Sequence, residues 1–321
     1  MSALPDLTET VERCPICGGT SFEKLPTPGR AIGDIVFGPY MHMFALCRCQ
    51  CGLEFINPRP SPSLLEQFYG SRIYDCHQMN RSDEASRNAC SLLEFIARQG
   101  PYSQERRLLD FGCGGGYLLA HALKAGWSAL GFDVGEMAIQ TCRNNQIPVT
   151  NQLADLPPGS FDVIILNHVF EHIADSAGIL ARLRGLLGPQ GKLFIEVPNV
   201  RSVRARLSLP VLSRRYGFDE RHRAFPIHIW YFSPRTLSQL LRKNGFQPVL
   251  VTTRGIGLEE LIIQREPDKP APKVKNRPTD PTNSAGQSKS VIQPAKNALK
   301  KLYHGCCLGE NVIAVSRVRL D

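Results

Sequence analysis

Residues 108–116 constrain this chain more than any other stretch. Leu108-Leu109-Asp110-Phe111 reads as a short buried strand. Gly112-Cys113-Gly114-Gly115-Gly116 follows at once, ahead of a helical pattern over 117–125. Glycines at 112, 114 and 116 permit a tight turn and a close approach of backbone to a ligand. The helix beyond them offers unpaired N–H groups that favour a carboxylate or a phosphate. Strand, glycine-lined bend and helix in this order belong to an α/β fold with a parallel sheet. Two kinds of cofactor use such a bend. The dinucleotide pattern G-x-G-x-x-G asks for glycine at 117, where Tyr117 stands.

The texture around this segment alternates. Ala85, Ala89, Leu92, Leu93 and Ile96 recur at helical spacing and predict a helix over 82–99, stopped by Gly100-Pro101. Strands are expected at 129–134, weakly at 147–150, and at 161–167, where Val163-Ile164-Ile165-Leu166 is continuously apolar and suits a strand covered on both faces. Helices are expected over 136–145 and 176–187, the second ending at Gly188-Pro189, with a turn before a strand at 192–197. An irregular Arg-rich segment spans 198–232. Ser233-Pro234 then opens a helix to 244. Further strands are expected at 248–254 and 311–318. Between them, a polar tract over 266–293 reads as disordered, and 294–303 as a short basic helix. The expected organisation is a metal-binding module at 1–60, a helical lead-in at 61–105, the main α/β domain at 106–265 with 198–232 as an acceptor-side insertion, a linker at 266–293, and a terminal helix and last strand at 294–321.

Eleven cysteines in 321 residues raise the question of disulfides, but five crowd between 14 and 51. Such crowding reads as metal ligation under reducing conditions. Cys14-Pro15-Ile16-Cys17 is a C-x-x-C knuckle, and Cys47-Arg48-Cys49-Gln50-Cys51 supplies the second half. Four thiolates satisfy tetrahedral Zn2+ with no open position, a structural site. Cys14, Cys17 and Cys51 are the expected ligands, with Cys47 and Cys49 competing for the fourth place and Cys49 favoured.

No run approaches the ~18 apolar residues of a membrane span, and the first residues lack a signal-peptide pattern, so the expectation is a cytoplasmic protein. A formal charge of +9 gathers in part at Arg201, Arg204, Arg206, Arg214, Arg215, Arg221 and Arg223. This suits an anionic small-molecule acceptor or peripheral membrane contact better than a dedicated nucleic-acid face. The oligomeric state is not legible.

Asp133 closes the strand at 129–134, where a carboxylate can accept hydrogen bonds from both hydroxyls of a ribose. With it, the D-x-G-x-G-x-G run from Asp110 to Gly116 resembles the first motif of class I S-adenosylmethionine-dependent methyltransferases. The run 161–172, ending Asn167-His168-Val169-Phe170-Glu171-His172, is similar to the fourth-strand segment of that family. So are Leu187-Gly188-Pro189-Gln190-Gly191-Lys192, Val197-Pro198-Asn199 and His228-Ile229-Trp230-Tyr231-Phe232-Ser233. The resemblance covers about 107–265 and returns at 311–318. It implies a Rossmann-like, doubly wound, seven-stranded, mostly parallel sheet with an antiparallel last strand, plus a small zinc-ribbon-like module. The implied cofactor is S-adenosyl-L-methionine, held by Asp110, Gly112, Cys113, Gly114, Gly116, Asp133, Asp155 and Asn167, with Asp155 towards the adenine. Residues 51–60 resemble a subgroup carrying an N-terminal zinc module, whose members often act on sugars, polysaccharide precursors or secondary metabolites.

The implied chemistry is in-line transfer of a sulfonium methyl, which depends on alignment. If the acceptor is a hydroxyl or an acidic C–H, a base is needed. His172 is the first candidate and His168 the second, with Glu171 beside them, because imidazole titrates near working pH. His228 and Tyr231 stand as residues able to reach the same pocket, and His121 as structural. A non-catalytic nucleoside-binding scaffold and, with less support, a nucleic-acid methyltransferase remain the alternatives.

Overall fold

The computed structural model describes residues 7–26, 37–69, 82–202, 205, 224–255 and 308–319. Arg204, Arg206, Arg214, Arg215, Arg221 and Arg223, the polar tract and the helix expected over 294–303 lie outside the described residues.

The N-terminal part is built from short antiparallel strands. Strand β1 (Thr8–Glu9) pairs with β5 (Arg59–Pro60). Strands β2 (Phe22–Lys24), β3 (Leu46–Cys49) and β4 (Glu54–Ile56) form a meander. Helix α1 (Pro62–Tyr69) has Pro62 at its first turn, and Ser61 Oγ accepts from the Leu64 amide at 3.3 Å, capping it. Helix α2 (Ser82–Ala97) buries Ala89, Leu92, Leu93 and Ile96, the stripe its periodicity predicts.

The main sheet begins with β6 (Arg107–Phe111), followed by α3 (Tyr117–Lys124), β7 (Ser128–Phe132), α4 (Glu136–Asn144), β8 (Val149–Thr150) and β9 (Phe161–Asn167). Helix α5 (Ser176–Leu186) has Asp175 as its cap, which accepts from the Gly178 amide at 2.9 Å. Strand β10 (Leu187–Pro198) follows without a break. After β11 (Trp230–Tyr231), helix α6 (Pro234–Lys243) starts in a capping box between Ser233 and Thr236. Strands β12 (Phe246–Arg254) and β13 (Asn311–Val318) complete the sheet.

The seven strands run in the order β12-β13-β10-β9-β6-β7-β8. Pairing is parallel from β8 through β10, while β13 lies antiparallel between β10 and β12. This is the Rossmann-like sheet that the sequence predicts, antiparallel last strand included. The continuously apolar run of β9 divides between the two faces. Ile164 and Leu166 pack with Leu180 and Leu183 of α5 and Leu237 and Leu240 of α6, and Val163 and Ile165 with Leu92 of α2 and Leu119 of α3. Helices cover both faces, so a polar–apolar alternation has no place here.

Two differences from the sequence reading have physical causes. The turn expected at 188–191 is instead the start of β10. Leu187 pairs with Phe161, and the register shifts before Lys192, where Pro189 and Gln190 bulge into solvent. Proline cannot donate to the ladder, so the strand yields there rather than ending. The second is β11, within a segment read as irregular. It adds antiparallel to β4, so the small sheet runs β11-β4-β3-β2 and joins the cysteine-bearing strands to the chain beyond β10. No described helix is long and apolar enough to cross a membrane.

Ile164 is fully buried, whereas Val134 is 74% exposed. Ile164→Ala is expected to cost about 2–5 kcal/mol in a denaturant unfolding experiment, and Val134→Ala less than about 0.5 kcal/mol.

Candidate active site

The parallel strands bring their carboxyl ends to one edge of the sheet. From β6 the chain turns towards β7, and from β9 it turns the opposite way to β10, although β6 and β9 are neighbours. In open α/β sheets this reversal leaves a crevice where ligands bind. Two loops line it: 112–116 after β6 and 168–172 after β9.

The first loop is held by backbone bonds. Phe132 O, at the end of β7, accepts from the Gly112 and Cys113 amides at 2.7 and 3.1 Å. Asp133 Oδ2 accepts from the Gly114 amide and Oδ1 from the Gly135 amide, both at 2.8 Å. Gly112 has φ +78°, and a Cβ built there would stand 2.4 Å from Cγ2 of Val169. Only glycine combines that backbone with so close a neighbour. Gly116, at φ +76°, caps α3 in the left-handed region. Cys113 is buried beneath the loop, and Cys142 Sγ donates to Gly114 O at 3.4 Å. Asp110 is 4% exposed, and burial together with the nearby Asp133 raises its carboxyl to about 7. Asn167 is half-buried at the end of β9, and Asp155 is exposed on a single 3-10 turn, Leu153–Asp155.

The second loop centres on a carboxylate. Glu171 is 1% exposed, and neither of its oxygens has a hydrogen-bond partner among the described residues. Three imidazoles instead face Oε1: His168 Nδ1 at 3.7 Å, His228 Nε2 at 3.8 Å and His172 Nε2 at 3.9 Å. Burial works to raise the Glu171 carboxyl, but His168 and the charges of His172 and His228 outweigh it and hold it at about 2. His172 Nδ1 donates to Ile227 O at 3.1 Å, which turns its ring inward. His168 keeps 43% of its side chain exposed and has φ +56°, a conformation uncommon outside glycine and concentrated at functional sites. Tyr231 lies in β11, two residues past Ile229, whose amide donates to Glu171 O. His121 faces away from the crevice and bonds Ser86 at 3.0 Å, a structural contact.

Behind His168 stands a polar chain. Arg254 Nη1 donates to Glu196 Oε2 at 2.7 Å, and Asn311 Nδ2 donates to Glu196 Oε1 at 3.1 Å. A carboxylate only accepts, so the same amide nitrogen faces His168 Nε2 at 3.3 Å. The His168 ring proton then sits on Nδ1, towards Glu171. These partners escape a reading of motifs. Glu196 leaves a trace, a carboxylate inside the apolar run 193–197, whereas Asn311 and Arg254 become neighbours only through the order of the sheet.

In the N-terminal part, Cys14, Cys17, Cys49 and Cys51 gather with all four sulfurs within 4.8 Å of one another. Cys14–Cys51 and Cys17–Cys49 stand at 3.6 and 3.3 Å. Thiolates around tetrahedral zinc lie about 3.8 Å apart for Zn–S of about 2.3 Å, so the cluster fits such an ion. Burial pulls the Cys17 thiol upward, but the Gly19 amide and the Cys49 and Cys14 thiols bring it down to about 7. Cys47 turns elsewhere and contacts Asn57 O at 3.5 Å.

A strand order of this kind, with a glycine bend and a carboxylate on adjacent strand ends at the reversal, defines a nucleoside-binding α/β enzyme. A family model described as a methyltransferase domain matches residues 81–251. A ubiquinone biosynthesis O-methyltransferase of Methylococcus capsulatus is 33% identical over 169 residues, covering 50% of this chain and 70% of that one. Its counterpart in Ralstonia nicotianae is 25% identical over 201 residues, covering 56% and 83%. Solved structures that align include a SAM-dependent methyltransferase from Archaeoglobus fulgidus, at 21% identity and TM-score 0.47, covering 72% of this chain and 93% of that one. Another is the 1,6-didemethyltoxoflavin-N1-methyltransferase of Burkholderia thailandensis with bound S-adenosylhomocysteine, at 17% and 0.46, covering 86% and 96%. The chain belongs to the class I S-adenosylmethionine-dependent methyltransferases.

Asp110 yields a pH test. Its carboxyl is raised to about 7 in the folded chain, against about 3.9 when unfolded. Its contribution to stability is complete below the unfolded value and is lost as pH rises through the folded one. In denaturant unfolding of the donor-free protein, Asp110→Asn is expected to flatten the fall in stability between about pH 4 and pH 8. Identical slopes for the two proteins would refute the assignment.

Proposed function

We propose that this enzyme transfers the S-adenosylmethionine methyl group to a hydroxyl of a small-molecule acceptor, with His168 removing the proton. The contact of Gly112 with Val169 carries the reading, because it sets the donor loop directly against the loop that bears Glu171 and the histidines. In this reading Asp110, Gly112, Cys113, Gly114 and Gly116 receive the amino-acid end of the donor. Asp133 takes the ribose hydroxyls with the acceptor capacity that Gly114 and Gly135 leave free. Asp155 approaches the adenine, and Asn167 lines the crevice between donor and acceptor.

The acceptor oxygen attacks the sulfonium methyl in line. A C–O bond forms, the C–S pair returns to sulfur, and S-adenosylhomocysteine leaves. The hydroxyl proton passes to His168 Nε2, displacing the long Asn311 contact. His168 takes precedence over His172 on exposure, 43% of its side chain against 17%, and because His172 is anchored to Ile227 O. Glu171 stabilises the imidazolium that forms. The relatives' name favours an oxygen acceptor. The basic excess of the chain favours an anionic one, such as an acidic phenol or a phosphorylated sugar.

Cys14, Cys17, Cys49 and Cys51 hold a structural Zn2+ in this reading, one that fixes the sheet to which β11 adds. Zinc analysis is expected to find one ion per chain, kept by Cys47→Ser and lost in Cys49→Ser.

The catalytic reading is tested by labelled methyl transfer to a panel of ortho-diphenols and nucleotide-linked sugars. His168→Ala is expected to lower kcat by roughly 10²–10⁴-fold and to leave S-adenosylhomocysteine affinity unchanged in calorimetry. Gly112→Ala is expected to lose that affinity. An unchanged kcat in His168→Ala would remove the base, and donor binding without turnover on any acceptor would favour the scaffold.

A further inference from the structure

His168 stands between two groups that each dictate where its ring proton lies. On one side Glu171 Oε1 is 3.7 Å from Nδ1, and a carboxylate favours an N–H there over a lone pair. On the other side Asn311 Nδ2 is 3.3 Å from Nε2. Which end of the Asn311 amide faces the ring is decided further back. The same nitrogen lies 3.1 Å from Glu196 Oε1, an oxygen that can only accept, so its two N–H bonds serve Glu196 and His168. Glu196 is fixed in turn by Arg254, whose Nη1 donates to Oε2 at 2.7 Å while Nη2 donates to Ser91 Oγ of α2 at 3.1 Å. The guanidinium also lies over Phe95, 5.6 Å from the ring centroid. Glu196 itself is 5% exposed in an otherwise apolar strand, where a buried ion pair seldom improves on apolar packing. The main chain repeats the link, because the His168 amide donates to Glu196 O at 2.9 Å.

We propose that Glu196 and Asn311 are positioning residues for His168, directing its ring proton to Nδ1 and leaving on Nε2 the lone pair that takes the acceptor proton. Arg254 can only donate and Glu196 can only accept, so the Asn311 amide has one orientation and the neutral imidazole one tautomer. The catalytic part of this role rests on the reading of His168 as the base, whereas the choice of tautomer does not. Among the described residues, charged and titratable groups face the ring from three elements. Glu171 and His172 belong to its own loop, Glu196 to β10 and Arg254 to β12. Partial burial works against the imidazolium, Glu171 and Glu196 outweigh it, and Arg254 opposes them, so the ring titrates above its ordinary value. Those charges set the pH at which His168 takes up a proton. The order of donors and acceptors behind it sets which nitrogen is free to do so.

Glu196→Gln tests the order without changing the shape. Arg254 still requires an oxygen, so the new amide turns its NH2 to Asn311, Asn311 turns its oxygen to both neighbours, and His168 must carry its proton on Nε2. Nitrogen-15 NMR of the histidine rings in the full-length chain reads the tautomer with no acceptor present, the His168 signals being assigned by their loss in His168→Gln. The parent is expected to hold its neutral-ring proton on Nδ1 and Glu196→Gln on Nε2. With the proton on the wrong nitrogen, kcat is expected to fall by roughly 10²-fold, while S-adenosylhomocysteine affinity, which reports the fold, is kept. Asn311→Asp sets a carboxylate beside Nε2 and is expected to raise the His168 titration midpoint by about one pH unit or more, carrying the acid limb of kcat with it. It decides alone if Glu196→Gln does not fold. A parent proton on Nε2, a parental tautomer in folded Glu196→Gln, or an unmoved midpoint in Asn311→Asp would overturn the positioning role. If the tautomer stays parental in Glu196→Gln while His168→Ala abolishes methyl transfer, the positioning role falls and the base stands. If the tautomer exchanges while His168→Ala keeps its kcat, the base falls and the control of the ring by Glu196 and Asn311 stands.

Discussion

The architecture depends on a steric approach between two loops. Gly112 and Val169 meet at a distance that admits no Cβ, and this contact is possible only because β6 and β9 are neighbours whose chains depart in opposite directions. Adjacency of the strands comes from burying both of their faces, with Leu108, Val163 and Ile165 on one side and Leu109, Ile164 and Leu166 on the other. The apolar core thus sets how far the loops after β6 and β9 stand apart. A rigid sheet edge holds reacting groups in register more reliably than free loops, and a methyl transfer depends on that alignment.

Much of the fold was legible because local signals agreed with one another. The strand 161–167 and the last strand 311–318 have the observed bounds, and the Ser233 cap and the glycine bend stand where their residues demand. What escaped the sequence was pairing between distant segments. Trp230 and Tyr231 carry no strand periodicity in a two-residue element, and only the free edge of β4 turns them into one. Residues 188–191 look like a turn because glycine and proline punctuate them, yet the ladder on either side continues past the interruption. At the candidate site, the residue types 168–172 were visible as a group. The direction of each ring was not, because it depends on Ile227 O, Glu196 and Asn311, which arrive from other parts of the chain.

The small sheet has a consequence for the larger one. Phe55 packs against Trp230, whose indole N–H donates to Ile173 O at 2.8 Å, while the Arg59 guanidinium lies over the same indole. Arg59 also reaches Ala174 O and pairs with Glu9. These contacts fix the stretch just after Glu171 and His172 from outside. Order in the cysteine-bearing strands therefore reaches the loop after β9 through the Trp230 ring, the Arg59 guanidinium and the backbone bonds at Ile229.

The position of β13 carries a further consequence. It fills the slot between β10 and β12, although it is drawn from residues 311–318. Until the ribosome has delivered that segment, both neighbours display unsatisfied backbone edges of the kind that recruit strands from other molecules. Asn311, the first residue of the strand, would be equally missing beside His168. Until the last strand arrives, the β10 edge therefore stays open and His168 lacks its Asn311 neighbour.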